Sequence, residues 1–211
     1  MREIYLLSGL GADKRVFDFV DFSGFNVNHV DWITPTDNES IESYANRLLG
    51  QIKTHRPTLI GVSFGGIMTV EIAKKIETEK IILISSAKTR FDIPFYFRIV
   101  GQLRINKLIP TTIYKSVNSL TYWFFGTETR KENELLKTII NETDSRFLSW
   151  AIDKIVNWRN TAMVTNVTHI HGTNDRILPF KTADIKVVKG GHLMILNKGK
   201  EISGLVRQIL G

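Results

Sequence analysis

The sequence predicts a doubly wound α/β structure, a mostly parallel sheet of about six strands, and three observations carry that prediction. Short, continuous apolar runs rich in β-branched residues, such as those around Leu59 and Ile82, have the composition of strands buried on both faces. Stretches with apolar residues at helical spacing lie between them, and strands that alternate with helices imply a sheet with helices on its faces. A chain of 211 residues, 43% of them hydrophobic, can bury a full core as one domain, 1–211.

The first strand runs over residues 4–7 and ends at Ser8-Gly9-Leu10-Gly11-Ala12-Asp13, where the glycines allow a tight loop over its carboxyl end. Asp13 is placed to cap the amphipathic helical stretch 15–20. Residues 26–33 give a second strand, stopped by Pro35, and residues 40–53 a helix with Ile41, Tyr44, Leu48 and Ile52 on one face. A strand at 58–62 leads into a helix from Phe64 to about residue 76, and residues 80–86 form another buried strand. Between about residues 87 and 160 no such strand occurs and aromatic residues crowd, so this stretch reads as a helical insertion, a cap within the domain. Strand character returns at 166–172, a short last strand follows at 184–188, and residues 193–210 form a closing helix. There are no repeats, low-complexity tracts or linkers.

Gly61-Val62-Ser63-Phe64-Gly65 fits G-x-S-x-G, a sharp strand-to-helix turn in which the serine holds a strained backbone and its hydroxyl stands clear of the sheet. The helix that follows points its N-terminal amides at that hydroxyl, so Phe64 N–H is a candidate oxyanion donor. The glycine-rich loop after the first strand can lay a second donor, Leu10 N–H, beside it. As an isolated pentapeptide the motif also fits an ordinary connection; its context decides.

Composition narrows the chemistry. The chain has no cysteine, which excludes disulfides, cysteine-based zinc sites and a thiol nucleophile, and it fits a reducing compartment. The N-terminal residues lack the apolar stretch and cleavage site of a secretory signal, so the cytoplasm is the expected location. No run approaches about 18 apolar residues, so no integral membrane segment is expected. The net charge of +7 comes from dispersed Lys and Arg without a nucleic-acid motif, and no nucleic-acid partner is expected. His169 and His171 lie two apart on one strand face near Asp175, but the further carboxylate or cysteine partners of a metal site are missing. Neither a metal nor a cofactor is therefore expected. Nothing in the sequence indicates an oligomeric state.

Ser63, Asp175 and His192 each fall just past a predicted parallel strand, at the edge where open α/β sheets place ligands. With that chain order, the sequence resembles the α/β-hydrolase superfamily over nearly its whole length. The resemblance rests on Leu7-Ser8-Gly9-Leu10-Gly11-Ala12-Asp13, Gly61-Val62-Ser63-Phe64-Gly65-Gly66, His171-Gly172-Thr173-Asn174-Asp175-Arg176-Ile177-Leu178-Pro179 and Gly190-Gly191-His192. It implies Ser63 as nucleophile, His192 as general base and then acid, Asp175 as the residue that orients the imidazole, and Leu10 and Phe64 as oxyanion donors. Two departures stand out: Ser8 replaces the histidine many members carry before the oxyanion glycine, and the usual N-terminal antiparallel hairpin is lacking.

The expected activity is that of a small serine esterase acting on a small-molecule carboxylic ester, with thioesters and lactones as close relatives. The alternative is a ligand-binding receptor, or a non-hydrolytic lyase, on the same scaffold. Gly9, Tyr122, Trp123 and Phe124 are the candidates for lining the substrate pocket. Between residues 88 and 120, Lys88, Arg90, Arg98, Arg104, Lys107 and Lys115 face a single acid, Asp92. The insertion is thus either an ordinary amphipathic cap or a roof over the acyl site whose basic rim attracts an anionic substrate or lipid surface.

Overall fold

The computed structural model describes residues 1–211. Its strands are β1 (Arg2–Leu7), β2 (Phe25–His29), β3 (Thr58–Val62), β4 (Lys80–Ile84), β5 (Val167–Gly172) and β6 (Ile185–Val187). They form one sheet in the order β2-β1-β3-β4-β5-β6, with every neighbouring pair parallel. The chain enters at β1, steps outward to β2, returns past β1 to β3 and then moves steadily to the other edge. Strand order therefore reverses between β1 and β3, and connections leave in opposite directions there, opening a crevice at the carboxyl ends.

Alternation along the strands divides the core into two layers. Ile4, Leu6, Ile60, Val62, Ile82 and Ile84 face one side, where α9 (Gly199–Leu210) packs Ile202, Val206 and Leu210 against them. Tyr5, Leu7, Leu59, Ile81 and Leu83 face the other side, with α1 (Ile41–Leu48) and α2 (Phe64–Ala73). Nine of the ten residues of α2 are buried, so it is enclosed on nearly all sides, with its one acid, Glu71, held by Lys74 and Trp158.

Five helices lie between β4 and β5: α3 (Phe95–Gln102), α4 (Thr111–Tyr114), α5 (Ser119–Phe125), α6 (Arg130–Glu142) and α7 (Ser145–Val156). Leu136, Ile139 and Ile140 of α6 join the first layer, whereas Phe147 and Ala151 of α7 join the second. The segment thus straddles the sheet's carboxyl edge.

Three elements differ from the sequence expectation. The stretch 15–20 is only a 3₁₀ turn, Lys14–Phe17, started by Asp13 accepting from Arg15 N–H; Val16 and Phe17 are buried within it. β2 ends at His29 because the chain leaves the sheet: Tyr44 Oη takes over both Ile33 N–H (3.0 Å) and Ile33 C=O (2.7 Å). The closing helix is interrupted at Lys198 between α8 (Met194–Asn197) and α9, where a Cβ on Gly199 would lie 2.0 Å from Phe19 O. That close approach fixes where the helix breaks.

Candidate active site

Ser63 joins β3 to α2 with φ 51° and ψ −120°, a conformation that costs a non-glycine residue on the order of 1–3 kcal/mol. Surrounding bonds hold it there: Ser63 N–H donates to Ile84 O (3.0 Å), while Ser63 C=O accepts from Gly66 N–H (2.9 Å) and Ser86 Oγ (2.6 Å). The loop after β1 closes over this turn. A Cβ on Gly65 would lie 2.2 Å from Leu7 O and 2.3 Å from Ser8 O, so only glycine lets the helix start this close to β1. Gly9 lies against Ser63, since a Cβ there would be 3.2 Å from Ser63 Cβ. Neither Leu10 N–H nor Phe64 N–H donates to any protein acceptor, leaving two main-chain donors free beside the serine. Ser8, which departs from the histidine of the resembled pattern, supports the loop with its hydroxyl, donating to Ala12 O (2.9 Å) and accepting from Trp32 Nε1 (3.0 Å).

His192 follows β6. Its Nε2 is 2.8 Å from Ser63 Oγ and its Nδ1 is 2.8 Å from Asp175 Oδ2. The ring is 2% exposed, and the Phe125 ring meets it edge-on at 5.9 Å between centroids. The same end of α5 is tied to the histidine loop by Leu193 N–H donating to Phe125 O (2.9 Å) and by the contact of Gly126 with Gly191. It is tied to the acid loop through Arg176, whose guanidinium lies 4.4 Å from the Trp123 ring centroid and donates to Trp123 O (2.7 Å).

Asp175 is completely occupied. Its Oδ1 accepts from Ile177 N–H (2.9 Å) and Leu178 N–H (2.8 Å), and its Oδ2 faces His192 and, at 3.3 Å, His171 Nε2. Burial alone would raise the carboxyl pKa, but the two histidines hold it well below the usual carboxylate range, so Asp175 is ionised.

Behind the acid lies a second buried pair. His171 Nε2 is 2.7 Å from Leu178 O, which can only accept, so that nitrogen carries the proton. In a neutral His171 ring Nδ1 then accepts from His169 Nε2–H at 3.0 Å, which leaves His169 Nδ1 bare, buried and without a partner. Burial, then His171 and Lys88, push the His169 pKa down to about 4. The unfolded chain takes up this proton near pH 6.5, so stability is expected to fall by up to about 3 kcal/mol as pH drops from 7 to 4. Thermal melts of His169→Gln, which keeps the donor to His171, should lack most of that slope between these pH values.

The structure thus brings Ser63, Asp175 and His192 together, with Gly9, Leu10 and Phe64 beside them. Of the aromatic candidates, Tyr122 is half-buried against the core, while Trp123 and Phe124 are 52% and 40% exposed. Phe125 is the ring in contact with His192, a pairing across distant parts of the chain that no local signal announces. Ser86 and His171 likewise owe their places to neighbouring strand ends.

A parallel sheet with its serine turn after the central strand, its acid after the fifth and its histidine after the sixth has the architecture of the α/β-hydrolase fold, and this chain adopts that fold. An esterase from Thermogutta terrifontis is similar over 100% of this chain and 89% of its own, with TM-score 0.70 and 15% identity. An esterase from Exiguobacterium antarcticum is similar over 100% and 92%, with TM-score 0.67 and 16% identity. An enzyme that degrades N-acyl homoserine lactones is similar over 99% and 93%, with TM-score 0.70 and 15% identity. At these identities the likeness is one of fold. No protein-family model matches the sequence, and no curated protein does.

Proposed function

We propose that this chain is a serine hydrolase that cleaves the carboxylic ester, thioester or lactone of a small or medium acyl group through an acyl-enzyme on Ser63. The observation that carries the reading is the unbroken series Ser63 Oγ, His192 Nε2, His192 Nδ1, Asp175 Oδ2, with both intervening contacts at 2.8 Å. Oγ attacks the acyl carbon while Nε2 takes its proton, and the tetrahedral oxyanion is met by Leu10 N–H and Phe64 N–H. The imidazolium then gives that proton to the leaving alkoxide or thiolate as the bond to the acyl carbon breaks. Water, deprotonated by the same nitrogen, releases the acid and restores Ser63.

An esterase reading also agrees with the activities named for the similar folds, two esterases and a lactone-degrading enzyme. Residues 87–160 act in this proposal as a cap over the serine, and Gly9, Tyr122, Trp123 and Phe124 border the acyl group. Phe125 joins them through its contact with His192.

A fluorophosphonate probe is expected to add one adduct to the intact protein, mapped by peptide mass to Ser63. Ser63→Ala and His192→Ala should each abolish the adduct in folded protein. Labelling at another residue, or none in the native chain, rejects the nucleophile assignment.

A further inference from the structure

A second charged site shares no residue with the serine site. It is a cleft of about 510 Å³ between α3 and the end of α7, lined by five cations, Arg90, Arg98, Arg104, Lys107 and Arg159. Its one acid, Asp153, is already engaged: it accepts from Asn106 Nδ2 (2.9 Å) and Asn157 Nδ2 (3.1 Å), and Lys154 Nζ lies 3.4 Å away. None of the five cations forms an ion pair, although Arg and Lys elsewhere in the chain pair with Asp or Glu. Arg90 Nε and Arg98 Nε are buried without any acceptor. Both side chains are only half-buried, so the rest of each guanidinium faces the cleft, and five unpaired cations around one opening form a site of positive potential suited to an anion from outside the chain.

Apolar exposure is concentrated on the same segment. Eleven of the fourteen exposed large apolar side chains fall between Phe91 and Phe124, two of them, Trp123 and Phe124, at the serine site. On α3 and the residue after it, Phe95, Ile99 and Leu103 are 65%, 44% and 66% exposed. At 100° per residue this stripe lies beside the one formed by Arg98 and Gln102, which line the cleft. A stripe of apolar side chains with a cationic stripe next to it matches a fluid apolar layer under a charged surface better than a rigid, acidic protein face.

We infer that this face docks the protein on anionic membranes, with a phospholipid phosphate seated among Arg90, Arg98 and Arg159 and with Phe95, Ile99 and Leu103 at the acyl boundary. The site is independent of the serine chemistry. It would bring a hydrolase to substrates dissolved in or released from the bilayer.

The test is co-sedimentation of the full chain with phosphatidylcholine vesicles, with and without phosphatidylglycerol as a third of the lipid. Binding is expected only to the anionic vesicles. The double change Arg98→Gln with Arg159→Gln should weaken it about tenfold or more. Phe95→Ser with Leu103→Ser should weaken it comparably, and Ser63→Ala should bind as the unaltered protein does. Fluorophosphonate labelling, or the circular dichroism spectrum if the protein does not label, verifies that the cleft variants are folded. Three results overturn the proposal. One is equal partition of the arginine variant. Another is a thermal shift with inorganic phosphate but no vesicle binding, which assigns the cleft to a free anion. The third is binding to polyglutamate, unchanged by Phe95→Ser with Leu103→Ser and without vesicle binding, which assigns it to an acidic soluble partner.

Discussion

Replacing Ser63 by alanine is expected to lower kcat on an activated ester by about 10⁴- to 10⁶-fold, and His192→Ala by a similar factor. In the proposed mechanism the two share one proton along the 2.8 Å contact between Oγ and Nε2, so either loss would disable the same step. The double variant should be scarcely slower than either single one, because members of such a unit are far from additive. Residual turnover would come from the main-chain donors Leu10 and Phe64, which neither change removes. The check is kcat and KM for all three variants on a p-nitrophenyl ester, with folding verified by circular dichroism. A double variant slower than each single one by the full product of their effects would separate the two residues and reject the shared mechanism.

Asp175→Asn should cost about 10³- to 10⁴-fold in kcat with a nearly unchanged fold. Oδ1 is claimed by two amides, Ile177 N–H and Leu178 N–H, so the new side chain keeps its oxygen there and turns its NH₂ toward His192. A donor facing Nδ1 forces the imidazole into the tautomer with its proton on Nε2, aimed at the serine it should deprotonate. The loss should therefore appear in kcat rather than KM. Asp153, a carboxylate of the segment between β4 and β5, is not placed to substitute: it is held by Asn106 and Asn157 in the cationic cleft. Full activity in Asp175→Asn would show that another group orients His192.

Much of this arrangement was legible in the sequence because it is local. The strand composition of residues 58–62 and 80–84 announces burial on both faces, and the glycines around Ser63 announce the turn, since both properties depend on near neighbours. The acid and histidine could be placed because each sits within a few residues of a strand end. What the sequence left undetermined depends on packing between distant segments. The seat of Phe125 on His192 requires Gly126 to meet Gly191, and the break at Lys198 follows from Gly199 lying on Phe19. The stretch 15–20 has helical periodicity yet forms one 3₁₀ turn, Lys14–Phe17, with Val16 and Phe17 buried in it. The cationic cleft is a similar case: Arg90, Arg98 and Arg159 are unremarkable singly, and only folding assembles them.

The two halves of the proposed proton-transfer pair have unequal foundations. Ser63 rests on β3, flanked by β1 and β4 and covered by a helix buried along nearly all its length, whereas His192 hangs from β6, a three-residue strand at the sheet's edge with one neighbour. Edge segments open at lower free energy than central ones, so the histidine loop should detach before the body of the protein unfolds. In increasing denaturant, catalytic competence would then vanish while the central sheet remained intact, and amide exchange would be fast around residues 185–192 and slow around 58–72. Inactivation and unfolding would be two events in this molecule, and the contact of α5 with the histidine loop sets the interval between them.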